Sequence, residues 1–163
     1  MEKEVIIIAA LAKNRVIGNG LQLPWRLPKD MKFFAETTKG HTVIMGSKTW
    51  DSIPDKYKPL PDRKNIVISR TSFFINGAQV FNDLEKAIES STGKIFICGG
   101  GEIYKLALPL ATKLILTEID AEVDGDIFFP EFNQLNYNEA SRISNSADEK
   151  HQYAFDFVTY DKI

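Results

Sequence analysis

The chain has 163 residues, 44% hydrophobic and 26% charged, with one cysteine. That length suits one domain with its own core and is awkward for two, so no disulfide or metal is needed to hold it. Lys and Arg number 20 against 22 Asp and Glu, a net charge of −2. This excludes the concentrated basic excess that a nucleic acid or an anionic membrane would attract.

The opening MEKEVIIIAALAKNR carries an apolar stretch far short of the ~20 residues of a membrane helix. Glu2 and Glu4 flank Lys3, unlike the cationic start of a signal peptide, so cytoplasm is the default reading. Residues 5–12 form a continuous apolar run, the mark of a strand covered on both faces. Further short strands are read at 42–45, 65–69, 78–81, 95–98 and 114–119, each β-branched or aromatic and bounded by turn residues. Residues 139–144 and 153–160 read as an antiparallel pair.

Helices fall between the strands. Residues 29–38 follow Pro28, which suits a first helical position; 47–53 open after Gly46; 83–91 have Asn82 or Asp83 as cap; 102–108 follow three glycines. The alternation predicts a single α/β domain over 1–163, with a mostly parallel sheet of about eight strands. Helices cover both faces, and an antiparallel C-terminal edge completes the sheet. Residues 54–63, with Pro54, Pro59 and Pro61, read as an exposed loop. Cys98, inside an apolar run, reads as a small buried hydrophobe.

Four segments carry candidate chemistry. Gly99-Gly100-Gly101 ends a buried strand and starts a helix, where open backbone amides suit a pyrophosphate. The dinucleotide fingerprint G-x-G-x-x-G fails at Tyr104, so a ligand site and a plain tight turn both stay open. Gly46-Ser47-Lys48-Thr49 resembles the tail of a P-loop, but Ser47 separates Gly46 from Lys48, and His41 rather than Gly stands five residues before Gly46. Triphosphate chemistry is thereby disfavoured, leaving a phosphate-binding cation or a solvated lysine. In the long loop at 18–27, Trp25 could cover a site or serve as a buried structural residue. Asp30 lies in a first helical turn, where an acid ordinarily offsets the dipole and faces water. Helical geometry, however, puts Phe33 and Phe34 on its side, and desolvation there would raise its pKa and suit a catalytic or ligand-pairing role.

Taken in order, IIAALAKNRVIG at 7–18, LPWRLPKDMKFF at 23–34, VIMGSKTWDSI at 43–53, PLPDRKNIVISR at 59–70, ICGGGEIY at 97–104 and LTEIDAEVDGDIFFPEF at 116–132 resemble dihydrofolate reductase of the bacterial type. The likeness spans nearly the whole chain. It implies NADPH as cofactor and dihydrofolate as substrate, with hydride passing from nicotinamide C4 to pterin C6. Asp30 would be the ionisable group of the pterin pocket, tied to Thr117, with Trp25 beside them and water as the direct proton donor. Ile8, Ala10, Met31, Phe34, Ile53, Leu60 and Cys98 would wall the pterin and aminobenzoyl rings. Arg63 would pair with the glutamate carboxylate.

For the cofactor, the resemblance implies Ala10 and a lid of Ile17, Gly18, Asn19, Gly20, Leu21, Gln22 and Leu23 over the nicotinamide. Gly46, Ser47, Lys48 and Thr49, with Gly99, Gly100, Gly101, Glu102, Ile103 and Tyr104, would hold the pyrophosphate and adenosine. Ser69 and Arg70 would meet the 2′-phosphate, and the peptide between Gly99 and Gly100 would be cis. Ser47 and Glu102 stand where many bacterial relatives have Arg, which moves the weight of 2′-phosphate recognition onto Arg70 and Lys48. Cys98 replaces a branched or aromatic residue, and the loop before Leu60 is a little longer than usual. Antifolates are plausible ligands, a metal site is not read, and monomer is the default state. Two rival readings are a riboflavin-pathway reductase of the same fold and a non-catalytic nucleotide-binding module.

Overall fold

The computed structural model describes residues 3–18 and 25–163. In chain order the strands are β1 (Glu4–Ala12), β2 (Val16–Gly18), β3 (Thr42–Gly46), β4 (Lys64–Ile68) and β5 (Gln79–Phe81). They continue with β6 (Lys94–Ile97), β7 (Lys113–Ile119), β8 (Ile127–Phe128), β9 (Tyr137–Asn145) and β10 (Phe155–Lys162). The helices are α1 (Pro28–Thr38), α2 (Ser47–Ser52), α3 (Leu84–Glu89) and α4 (Gly101–Ala107).

With Val and Ile filling positions 5–8, β1 has no polar face, and it sits inside the sheet between two parallel neighbours, β6 and β7. The eight-stranded order is β5-β4-β3-β6-β1-β7-β10-β9. Every pair is parallel except those made by β10, which runs antiparallel to both β7 and β9. Side-chain alternation divides the core. Val5, Ile7, Ala9 and Leu11 pack on one face with Ile44, Leu114 and residues of α3 and α4. Ile6 and Ile8 pack on the other with Val43, Met45, Phe96 and Trp50 of α2. That second face continues into a cluster of Ala12, Val16, Trp25, Leu27, Ile119, Phe155 and Phe157. Helix α1 lies over this junction: Phe34 packs against the group of Ile6 and Ile8, and Phe33 stacks on Phe157 with ring centroids 4.0 Å apart.

Most element boundaries move by one or two residues from those read in the sequence. The capping site of α3 is Asp83, whose side chain accepts from the Glu85 amide at 3.0 Å. Not foreseen is the small antiparallel sheet of β2 and β8, too short to show any period. Gly125 lets these strands close up. A Cβ there would fall 2.3 Å from Val16 Cγ1 and 2.5 Å from the Gly18 carbonyl oxygen. The loop at 54–63 contains a 3-10 turn (Asp55–Tyr57) and a cis Lys58–Pro59 peptide. Among the described residues no helix is long and apolar enough to cross a membrane.

Candidate active site

The carboxyl ends of parallel strands, where open α/β sheets place their ligands, carry the site. A cleft of about 1300 Å³ runs along the ends of β1, β3, β4 and β6 and past the starts of α2 and α4. The structure brings to it Ala10, Ile17, Gly18, Gly46, Ser47, Lys48, Thr49, Ser69, Arg70, Cys98, Gly99, Gly100, Gly101, Glu102, Ile103 and Tyr104. Asn19, Gly20, Leu21, Gln22 and Leu23 lie outside the described residues.

Close packing explains the glycines. The Gly46 amide donates to the Gly99 carbonyl at 2.8 Å, joining the ends of β3 and β6. Gly99 has φ +113°, and a Cβ on it would press on the Tyr104 ring at 3.2–3.3 Å. The Gly99–Gly100 peptide is cis, as the resemblance implied. Tyr104, buried beneath them, donates its hydroxyl to the Ile8 carbonyl at 2.8 Å, and burial pushes its phenol well above the ordinary range. The first-turn amides of α4 have no intrahelical acceptor to use, and residues 101–103 line the cleft.

Beside this cleft stands the carboxylate. Asp30, partly buried in the first turn of α1, accepts a hydrogen bond from the Thr117 hydroxyl of β7 at 2.5 Å. Burial raises its carboxyl above the usual Asp range, and the Thr117 hydrogen bond opposes part of that rise. It therefore has neighbours other than water, which the dipole reading did not foresee. Ile8, Phe34, Ile53, Leu60 and Cys98 meet in one apolar wall. Met31 does not join them; it is 62% exposed, because it lies about a quarter turn from Asp30 on the outward side of α1. Trp25 is buried with Leu27, Phe155 and Phe157, and Ala10 and Phe33 border that cluster.

Arg63 is half-buried. Its Nε donates to the Pro61 carbonyl at 2.8 Å and Nη1 to the Thr38 hydroxyl at 3.1 Å. The buried Asn65, a polar residue inside an apolar strand, fixes this loop. It accepts from the Leu60 amide at 2.9 Å and donates to the carbonyls of Leu60 and Arg63 at 3.0 Å each. Sequence reasoning passed over it, although an Asn among KNIVI was a signal of a buried hydrogen-bonding duty. Cys98 does face the cleft, and burial pushes its thiol up to about 12. At the far end, Arg70 is not left to a ligand: its Nη2 pairs with Glu102 Oε1 at 3.0 Å. Both had been singled out, but their pairing had not. Thr71 and Lys86 also line the cleft and were missed.

The cleft has room for a dinucleotide, and Lys48, Arg70, Ser47, Thr49 and Ser69 are among the residues that line it. Ala10 and Ile17 supply apolar surface on its wall. Such a cleft beside a desolvated carboxylate fits an enzyme that holds a dinucleotide next to a substrate-pairing acid. The family profile described as dihydrofolate reductase matches residues 4–162. Dihydrofolate reductase of Neisseria gonorrhoeae is 45% identical over 160 residues, covering 96% of this chain and 97% of that protein. That of Bacillus subtilis is 38% identical over 161 residues, covering 97% and 94%. A solved structure of the Enterococcus faecalis enzyme complexed with NADP(H) and RAB-propyl superposes with a TM-score of 0.90 at 31% identity, covering 98% of this chain and 96% of that one. The chain belongs to the dihydrofolate reductase family, NADPH-dependent oxidoreductases that reduce dihydrofolate to tetrahydrofolate. These findings favour that family over the riboflavin-pathway reductase and the non-catalytic module.

Proposed function

We propose that residues 1–163 act as one catalytic unit. It reduces 7,8-dihydrofolate with NADPH and a proton to 5,6,7,8-tetrahydrofolate and NADP⁺, with Asp30 as the acid of the pterin pocket. The observation that carries this reading is the Thr117–Asp30 pair: a desolvated carboxylate held between an apolar wall and a dinucleotide-sized cleft. When bound, NADPH supplies the hydride that reaches pterin C6.

The chain's own groups do the rest. Asp30 accepts hydrogen bonds from the amide-like edge of the pterin and favours the form that takes a proton at N5, with water as the donor. Thr117 keeps the carboxylate turned toward the pocket. The wall of Ile8, Phe34, Ile53 and Leu60 holds the rings and excludes water, and stacking two rings in register supplies several kcal/mol by orientation. Arg63, already aligned by Pro61 and Thr38, pairs with the glutamate carboxylate of the substrate. Residues 101–103, Lys48 and Thr49 hold the pyrophosphate, and Ser69 and Arg70 meet the 2′-phosphate. Antifolates occupy the pterin pocket. We propose a cytoplasmic monomer with no nucleic-acid partner.

Asp30→Asn tests the assignment. Turnover near neutral pH falls about 10²-fold or more while NADPH affinity stays within twofold. An equal loss of cofactor binding removes the role given to Asp30.

A further inference from the structure

Helix α1 starts without a capping side chain of its own: Leu27 stands at the cap position, and Pro28 has no N–H. The Asp30 and Met31 amides turn back to the Leu27 carbonyl at 3.0 and 3.1 Å. The Lys29 amide, immediately before Asp30, finds its acceptor 122 residues away, in His151 Nε2 at 3.1 Å. His151 lies in the turn between β9 and β10 and is 7% exposed.

An Nε2 that accepts carries no proton, so the neutral ring holds its proton on Nδ1. There the partner is Asp148 Oδ1 at 2.7 Å. Asp148 is itself tied to the turn, its amide donating to the His151 carbonyl at 2.9 Å and its carboxylate accepting from the Lys150 amide at 2.9 Å. A second, apolar path joins the same two elements. The His151 ring packs on Phe155 at 5.3 Å, Phe155 on Phe157 at 5.5 Å, and Phe157 stacks on Phe33 of α1 at 4.0 Å.

We propose that His151, held in one tautomer by Asp148, is the missing cap of α1 and a positioning residue that sets where Asp30 meets the substrate. The proposal rests on the reading of Asp30 as the pterin acid. It makes the β9–β10 turn, on the far side of the chain from the cofactor cleft in sequence, a part of the substrate half of the site. The cofactor half is built from α2, α4 and the ends of β3 and β6, none of which His151 touches through a hydrogen bond.

The experiment compares H151F, which keeps a ring on Phe155 but removes the acceptor, with H151Q, whose Oε1 restores one. Steady-state constants are measured for dihydrofolate and NADPH, and amide exchange is followed at Lys29. For H151F, the dihydrofolate kcat/KM drops about 3- to 20-fold, the NADPH KM stays within twofold and Lys29 exchange quickens. H151Q returns both to within threefold of the parent. H151Q as impaired as H151F, or a matching rise in the NADPH KM, overturns the proposal. Should H151F fail to fold, D148A carries the test, since Asp148 is mostly exposed. It lowers dihydrofolate kcat/KM about 2- to 5-fold, and parental kinetics overturn the proposal. D30N assayed alongside separates the two claims. A fully active D30N removes the Asp30 reading and this one with it, whereas an impaired D30N beside an intact H151F overturns this one alone.

Discussion

Replacing Glu102 with Gln is expected to tighten NADPH binding and leave NADH nearly unchanged. The Glu102 carboxylate sits 3.0 Å from the Arg70 guanidinium on the cleft wall, both side chains being largely exposed. A bare pair at that separation in water is worth about 1.4 kcal/mol, and exposed ion pairs net roughly 0.2–1 kcal/mol after entropy and screening. That is the cost NADPH bears to recruit Arg70. A 2′-phosphate of charge near −2 at about 6 Å from Glu102 adds roughly 1.4 kcal/mol of repulsion unscreened, and about half that at a Debye length of 8 Å. The two effects together give about 1–1.5 kcal/mol, or a 5- to 12-fold gain in NADPH affinity. Fluorescence titration of E102Q with each cofactor, at ~20 mM and ~500 mM salt, measures it. The gain shrinks at high salt, because both contributions are screened. A gain shared equally by NADH, a gain indifferent to salt, or a loss of NADPH affinity would refute the reasoning.

Three other outcomes follow from single contacts. In Thr117→Val the hydroxyl that opposes the raised Asp30 carboxyl is gone, so the pH limb that Asp30 sets in dihydrofolate kcat/KM moves to higher pH; a fixed or lower limb counts against that contact. Cys98, half-buried in the cleft wall with its thiol pushed up to about 12 by desolvation, is alkylated by iodoacetamide at pH 8 far more slowly in the native protein than in urea, and equal rates would contradict that rise. Gly125→Ala forces β2 away from β8 and lowers Tm by roughly 3–10 °C, a loss of about 1–3 kcal/mol; scanning calorimetry showing a parental Tm would remove the packing argument.

The parts of this protein that the sequence makes legible are those with a local cause. Residues 5–12 announce a strand because Val and Ile leave no polar face, and β1 is indeed covered on both sides. Asp30 is suspect because Phe33 and Phe34 share its helix face, and both are drawn into the core. What stays hidden depends on partners remote in the chain. Asn65 looks like an interruption until the Leu60–Arg63 loop is folded onto it. His151 carries no local sign, because its partner is an amide 122 residues away. Arg70 and Glu102 each stand out alone, while their pairing depends on β4 and α4 meeting at the cleft. The β2–β8 sheet has too few residues to express a period, and Gly125 gains its meaning only from the strands it lets close.

The placement of β1 has a further consequence, in time rather than in space. Among the described strands it comes first in the chain, yet its two neighbours are β6 and β7. About 80 residues separate the end of β1 from the start of β6, which at ~5–20 residues per second is roughly 4–16 s of synthesis. Throughout that interval the most continuously apolar segment of the chain has neither sheet partner, and β7 in turn waits for β10. An emerging chain of this topology is most exposed to association with its copies through residues 5–12, and a holdase that grips extended apolar segments would find its principal grip there.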